Sequence, residues 1–459
     1  MSALERPGLA ARLKRWAGLD FHVFLTLLLR GWGILAGGAT TLLLPLWLTP
    51  GQQGFYYTFG SLLALQVFFE LGLNQVIIQL VSHEAAHLQL HDDGRITGDA
   101  HRVERLSAIR RLVQRWYLIA AAMFAVITGI AGYVFFEQRG GIPTSEWLPI
   151  WCGLVGCTAI NLYMSPRLAI VEGTGHVGQV ARLRLIQSVL GYCALWVLLL
   201  AGAGLWVAAV VPAASAATTW VWLRLRADDL RHTPAAGTSA PLTWRKDIFP
   251  LQWRLAVSWV SGYFIFNLFT PIIFAHHGAK EAGRFGMAMA IFNAVTTVGL
   301  SWINAKAPSL TMHISRGESE ALNSTFRGVM IRSVAFTGAL SAAVVATAAA
   351  ATLAGWSAIQ RIADLGSLLA IAVATTINVL VYACASYMRA HREEPMVPVS
   401  VVSAACTIAA VAASAALPVS WMMALYAAIG GLVTLPWTLF LLRRYRARHG
   451  SPVPAESAA

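Results

Sequence analysis

His83-Glu84-Ala85-Ala86-His87 places two imidazoles one helical turn apart with a carboxylate beside the first. On a helix this spacing binds zinc and leaves the glutamate to activate a water. His91 continues the same face by one further turn. A buried protease site would need another ligand from a separate apolar segment, and no such segment supplies an Asp or a clear His. The simpler reading is an amphipathic helix extension in the headgroup zone, with a membrane metalloprotease as the alternative.

Charges inside long apolar runs are a stronger signal, because an ionised side chain at a bilayer centre costs at least about 2.5–3.5 kcal/mol. Arg30, Glu70 and Arg254 are such charges. Counting 1.5 Å per residue, Arg30 lies about 14 Å and Glu70 about 18 Å from the same face, on consecutive helices. Two readings follow. The pair bonds to itself and fixes the helices, or Arg30 attracts an anionic cargo while Glu70 orients it or carries a proton. Arg254, near the start of its run, either snorkels to the interface or faces the cargo. Gln66, Asn74, Asn267 and Asn293 add amides at similar positions. Trp259, with Trp32, Tyr56, Tyr57 and Tyr263, adds faces on which sugar rings stack. Substrate contacts are therefore expected at Arg30, Gln66, Glu70, Asn74, Arg254, Trp259, Asn267 and Asn293.

These residues need a scaffold, and composition names its class. Of 459 residues, 57% are apolar and 12% are Asp, Glu, Lys or Arg, about half the charge of a soluble domain. A soluble multidomain enzyme and a disordered chain are both excluded. A bilayer core of about 30 Å takes roughly 20 apolar residues per helix. Twelve segments meet that rule: 21–48, 54–82, 116–136, 147–170, 183–201, 204–222, 249–276, 285–306, 330–353, 365–388, 396–417 and 420–442. The expected fold is an all-α polytopic membrane protein. Its five cysteines all fall within spans and read as packing residues.

The cations orient it. Of 34 Lys and Arg, 28 lie on the side holding both termini and the even-numbered loops, four lie opposite and two lie within spans. By the positive-inside rule the rich side is cytoplasmic. The pI of about 10.0 then records topology and anionic lipid, so no nucleic-acid partner is expected. Residues 223–248 have linker composition and split the spans six and six. This gives lobes at 1–222 and 249–442 and a tail at 443–459. Each half starts on the same side, so the lobes are expected as parallel repeats around a central cavity. A weak repeat supports this: Gln53-Gly54-Phe55-Tyr56 follows the first span, and Ala282-Gly283-Arg284-Phe285-Gly286 follows the seventh. In the loop 83–115, Val103, Leu106, Ile109, Leu112, Val113 and Trp116 recur at helical spacing among arginines, as in an interfacial helix on an anionic leaflet. Outer loops are short, with no room for the folded external domain of a sugar polymerase.

Three stretches carry a family likeness: Arg30-Gly-Trp-Gly-Ile-Leu-Ala-Gly-Gly38, Leu48-Thr-Pro-Gly-Gln-Gln-Gly-Phe-Tyr-Tyr-Thr-Phe59 and Phe68-Phe-Glu-Leu-Gly-Leu-Asn74. They resemble Wzx-type polysaccharide flippases of the multidrug/oligosaccharidyl-lipid/polysaccharide exporter superfamily. The motifs cover about 80 residues, and the twelve-span plan extends the likeness to the whole chain. The resemblance implies a bacterial inner-membrane transporter without cofactor. Its cargo would be undecaprenyl-diphosphate-linked oligosaccharide for surface polysaccharide, moved to the outer leaflet by alternating access. It implies that Arg30, and after it Arg254, meets the diphosphate, with membrane lipids and polysaccharide polymerase and export machinery as partners. A drug or cation antiporter of the same fold is the alternative.

Overall fold

The computed structural model describes residues 21–86, 88–90, 96–225, 244, 248–391 and 395–449. Each of the twelve expected spans coincides with helix. The first half contains α1 (Phe21–Trp47), α2 (Pro50–Leu63), α3 (Val67–Glu70), α4 (Leu73–Ala85), α5 (Ala100–Arg139), α6 (Thr144–Gly173), α7 (Val177–Leu200) and α8 (Val207–Leu225). The second contains α9 (Phe249–Phe266), α10 (Phe269–Ser315), α11 (Ser319–Leu353), α12 (Leu365–Ala390), α13 (Val397–Ser414), α14 (Val419–Ile429) and α15 (Leu435–His449). A small antiparallel hairpin, β1 (Leu88–Leu90) with β2 (Ile96–Gly98), links α4 to α5.

Among the described residues nine helices are long and apolar enough to cross a bilayer, and the bent pair Pro50–Glu70 with Leu73–Ala85 makes a tenth. One of the nine, Leu255–Ser315, carries both the seventh and the eighth expected span, with non-helical backbone at Gly278 inside it. Leu35, Leu42 and Ile130 are exposed on helix surfaces, as a lipid-facing side chain must be when hydrocarbon is the solvent.

The chain forms two compact units. One contains Met1–Thr40, Leu65–Val134 and Ile142–Ala256; the other contains Thr41–Ala64, Phe135–Gly141 and Val257–Ala459. Most of the linker at 223–248 and the end of the tail lie outside the described residues. In the second unit, α10, α11, α12 and α15 share a core that includes Ile303, Phe326, Val379, Met388 and Leu442.

Local chemistry explains where the helices start and break. Thr49 caps α2: its hydroxyl accepts from the Gln52 amide while the Gln52 side chain accepts from the Thr49 N–H. With Pro50 at the first helical position, this is a capping box that satisfies two orphan donors. The second span breaks after Glu70, where Leu71 (φ 50°) and Gly72 (φ 68°) are left-handed. The two parts meet at a 44° bend. Glycine adopts such a φ without strain, whereas a residue with a Cβ pays roughly 1–2 kcal/mol.

One expectation is overturned. The arginine-rich segment is no separate helix lying on a leaflet: it is the first third of α5, continuous with the third span. Val103, Leu106, Ile109 and Val113 are buried against protein. A helical stripe of apolar residues reads the same whether its cover is lipid or another helix, and here protein covers it.

The bend yields a test. Gly72→Ala is expected to destabilise the protein by about 1–2 kcal/mol, read as a lowered midpoint of thermal unfolding in detergent. An unchanged midpoint would show that residue 72 does not hold the left-handed conformation.

Candidate functional site

The first unit carries a half-open cavity of about 250 Å³ lined by side chains of α3, α4, α6, α7 and α8 and by Gln66 of the single 3-10 turn before α3. Its polar wall begins with Gln66, Glu70 and Asn74, successive positions four apart on the broken second span. Opposite them are Asn161 and Ser165 of α6, Arg184 and Gln187 of α7, and Ser215 and Thr219 of α8.

Hydrogen bonds fix this wall. The Asn74 amide donates to Glu70 Oε1, and the Tyr117 hydroxyl of α5 donates to Asn74 Oδ1 at 2.9 Å. Asn161 donates to the carbonyls of Cys157 and Pro212, both at 3.0 Å, and accepts from Ser215 at 3.1 Å. Gln187 donates to Thr219 Oγ1 at 2.6 Å. Arg184 is held by Glu172 at 3.0 Å. These bonds fix each amide's orientation; Asn161 has committed both N–H groups but its oxygen, like that of Gln187, has a lone pair to offer. Glu70 is buried, and one of its two carboxylate oxygens is engaged by Asn74.

The sequence expectations separate at this point. Gln66, Glu70 and Asn74 meet in one cavity. Arg30 is exposed on α1, and among the described residues no ion pair joins it to Glu70, whose partner is Asn74. Similar depth on adjacent helices does not fix their rotation, so depth alone could not establish that pair. Arg254 is on α9, its side chain outside the described residues. Trp259 is exposed on α9, Asn267 sits at the break between α9 and α10, and Asn293 is exposed on α10; all three belong to the second unit. Asn161, Ser165, Arg184, Gln187, Ser215 and Thr219 were not anticipated. Their signal was present: polar residues four apart at 161/165 and 215/219, and three apart at 184/187, each on one face of an otherwise apolar helix.

The histidine motif resolves differently. Glu84 is buried at the end of α4 and pairs with Arg105 at 3.2 Å and Arg102 at 3.5 Å. It ties α4 to the start of α5. His83 is exposed, while His87 and His91 lie outside the described residues. Among the described residues no group of three His, Cys, Asp or Glu is arranged to hold a metal. A glutamate engaged by two guanidiniums is an anchor, not a water-activating base.

No protein-family model and no curated protein matches the chain. Solved structures match it in fold. The MATE multidrug transporter DinF-BH, determined in complex with R6G, has a TM-score of 0.59 at 13% identity, covering 97% of this chain and 99% of that one. An inward-facing multidrug resistance MATE family transporter of the MOP superfamily has a TM-score of 0.56 at 13% identity, covering 98% and 99%. A MOP superfamily transporter from Pyrococcus furiosus Vc1 (DSM3638), described as having a binding pocket of reverse polarity, has a TM-score of 0.50 at 14% identity, covering 97% and 100%. At these identities the likeness establishes the fold and leaves cargo open.

The Glu70–Asn74–Tyr117 chain makes a definite prediction. Asn74→Leu leaves a buried carboxylate and a hydroxyl unpaired, and is expected to cost about 2–4 kcal/mol. Adding Glu70→Leu should restore much of that loss, because both polar partners are then gone. Denaturant unfolding in detergent measures both variants, and strictly additive losses would refute the coupling.

Proposed function

We propose that this protein carries a lipid-linked oligosaccharide from one leaflet of the bacterial inner membrane to the other by alternating access, with both termini cytoplasmic. The observation carrying the reading is the cavity wall of the first unit: amides and hydroxyls held in fixed orientation inside an apolar helical body. Sugar hydroxyls both donate and accept, and a wall of Gln66, Asn161, Gln187, Ser215 and Thr219 answers in both senses. A half-open cavity of about 250 Å³ has room for a sugar ring.

The diphosphate belongs elsewhere. The cavity's one guanidinium, Arg184, is already paired with Glu172, and Glu70 lines the same wall, so no cation there is spare for a diphosphate. Arg30, exposed on α1, is the cation offered to it, with Arg254 as a second. Polysaccharide polymerase and export machinery are the proteins such a carrier would serve. The fold shared with MATE transporters accommodates this cycle, and the broken second span agrees with it, since interrupted helices in transporters line binding sites near the bilayer midplane.

A second reading, antiport of an organic cation, is favoured by one feature. Glu70 is a buried carboxyl group on the cavity wall that accepts from an amide, Asn74.

Reconstitution separates the two. In vesicles loaded with a fluorescent undecaprenyl-diphosphate-linked oligosaccharide, the protein is expected to expose lipid from the inner leaflet to an impermeant quencher. Gln66→Leu should slow this about tenfold, the loss expected for one hydrogen bond of about 1.4 kcal/mol to cargo. Arg30→Ala should abolish it while Gln66→Leu only slows it. Transport of a cationic dye such as R6G by vesicles that leave the lipid in place would overturn the proposal in favour of the antiporter.

A further inference from the structure

The sequence repeat noted above acquires a physical meaning in the second unit, where its two copies touch. A Cβ built on Gly54 would lie 1.8 Å from the carbonyl oxygen of Ala279, four residues before Gly283. A Cβ on Gly283 would lie 2.8 Å from the nitrogen of Gly54 and 3.1 Å from the carbonyl oxygen of Pro50, four residues before Gly54. Three residues on in each copy, a Cβ on Gly286 would lie 2.3 Å from the ring of Tyr57. Equivalent positions therefore face equivalent positions, the pattern of a self-complementary contact about a local two-fold axis. The backbones meet at a distance only glycine permits.

The bonds around this contact share a second property. Gln53 donates to the carbonyls of Gly283 at 2.9 Å and Arg361 at 3.2 Å. Arg361 donates to the carbonyl of Leu48 at 3.0 Å, and Arg284 to that of Ile362 at 2.9 Å. Every acceptor is main-chain oxygen, which water replaces readily when the surfaces part. The two guanidiniums in these bonds, Arg284 and Arg361, meet carbonyls rather than carboxylates, so parting these bonds separates no ion pair. All of this lies at the cation-poor ends of the helices.

We infer that the Gly54–Gly283 contact is the gate closing the cation-poor end of the transporter, shut in this structure and parted in the opposite-facing state. Glycine is required at both positions for shutting, and Gln53 latches the shut form. The inference rests on the alternating-access reading, but its test measures a distance and not transport.

The test uses the full chain with its five native cysteines replaced and spin labels at Gly51 and Lys280. A Cβ at Gly51 meets nothing within 4 Å, and Lys280 is exposed. Pulsed electron resonance is expected to give one short separation for the unmodified gate. Gly54→Val should move most of the population to a longer separation while the protein elutes as before on gel filtration. Gln53→Glu, which sets an oxygen against two carbonyl oxygens without added bulk, should shift it in the same direction, and decides the matter if Gly54→Val fails to fold. A short, unaltered separation in Gln53→Glu would overturn the gate. So would undiminished lipid transport with positions 51 and 280 covalently tethered. Loss of transport by the tethered protein alone would support it. Absence of lipid transport in the untethered protein would count against the proposed cargo, leaving the gate to the distance measurement.

Discussion

Inside a bilayer no water is present to satisfy a polar group, so each one must find its partner within the protein. That constraint shapes the first unit around Glu70. Its carboxylate is buried where the second span breaks at Leu71 and Gly72. Asn74 lies four residues on, so the helix beyond the break returns an amide to Glu70. Tyr117 of α5 then satisfies that amide's oxygen. One carboxyl group thereby links the two sides of the bend to α5. The same demand, repeated at Asn161 and Gln187, ties α6, α7 and α8 together through side chains rather than through apolar contact alone. This matters because hydrophobic burial gives helices no driving force to associate in hydrocarbon.

Much of this was legible from the sequence, and the parts that were not have identifiable causes. Span positions depend on the length of apolar runs, a one-dimensional property, and all twelve have helical counterparts. Gln66, Glu70 and Asn74 stood out because polarity within an apolar run is costly. The partner of Glu70 was not readable, since pairing depends on how each helix is rotated about its axis. Asn74, just past the break in the same span, reaches Glu70, whereas Arg30 on α1 does not. The stripe Val103, Leu106, Ile109 and Val113 was correctly seen as one face of a helix, but periodicity does not name what covers that face. Glu84 shows the same limit for motifs: H-E-x-x-H specifies spacing, and Arg102 with Arg105 specifies the role.

The repeat Gln53-Gly54 and Ala282-Gly283 carries a different lesson. As sequence it was weak support for a division into two similar halves. In the structure the two glycines touch, so the similarity coincides with a contact. In the proposed carrier, the polar cavity of the first unit serves binding and the glycine contact of the second serves closure. The fold shared with MATE transporters does not choose between cargoes.

The most direct measurement is the structure of the protein bound to an undecaprenyl-diphosphate-linked oligosaccharide in a lipid nanodisc. A sugar ring resolved in the first unit's cavity, bonded to Gln66 and Glu70, is the predicted result. The cargo resolved elsewhere, with that cavity holding only water, would contradict the account.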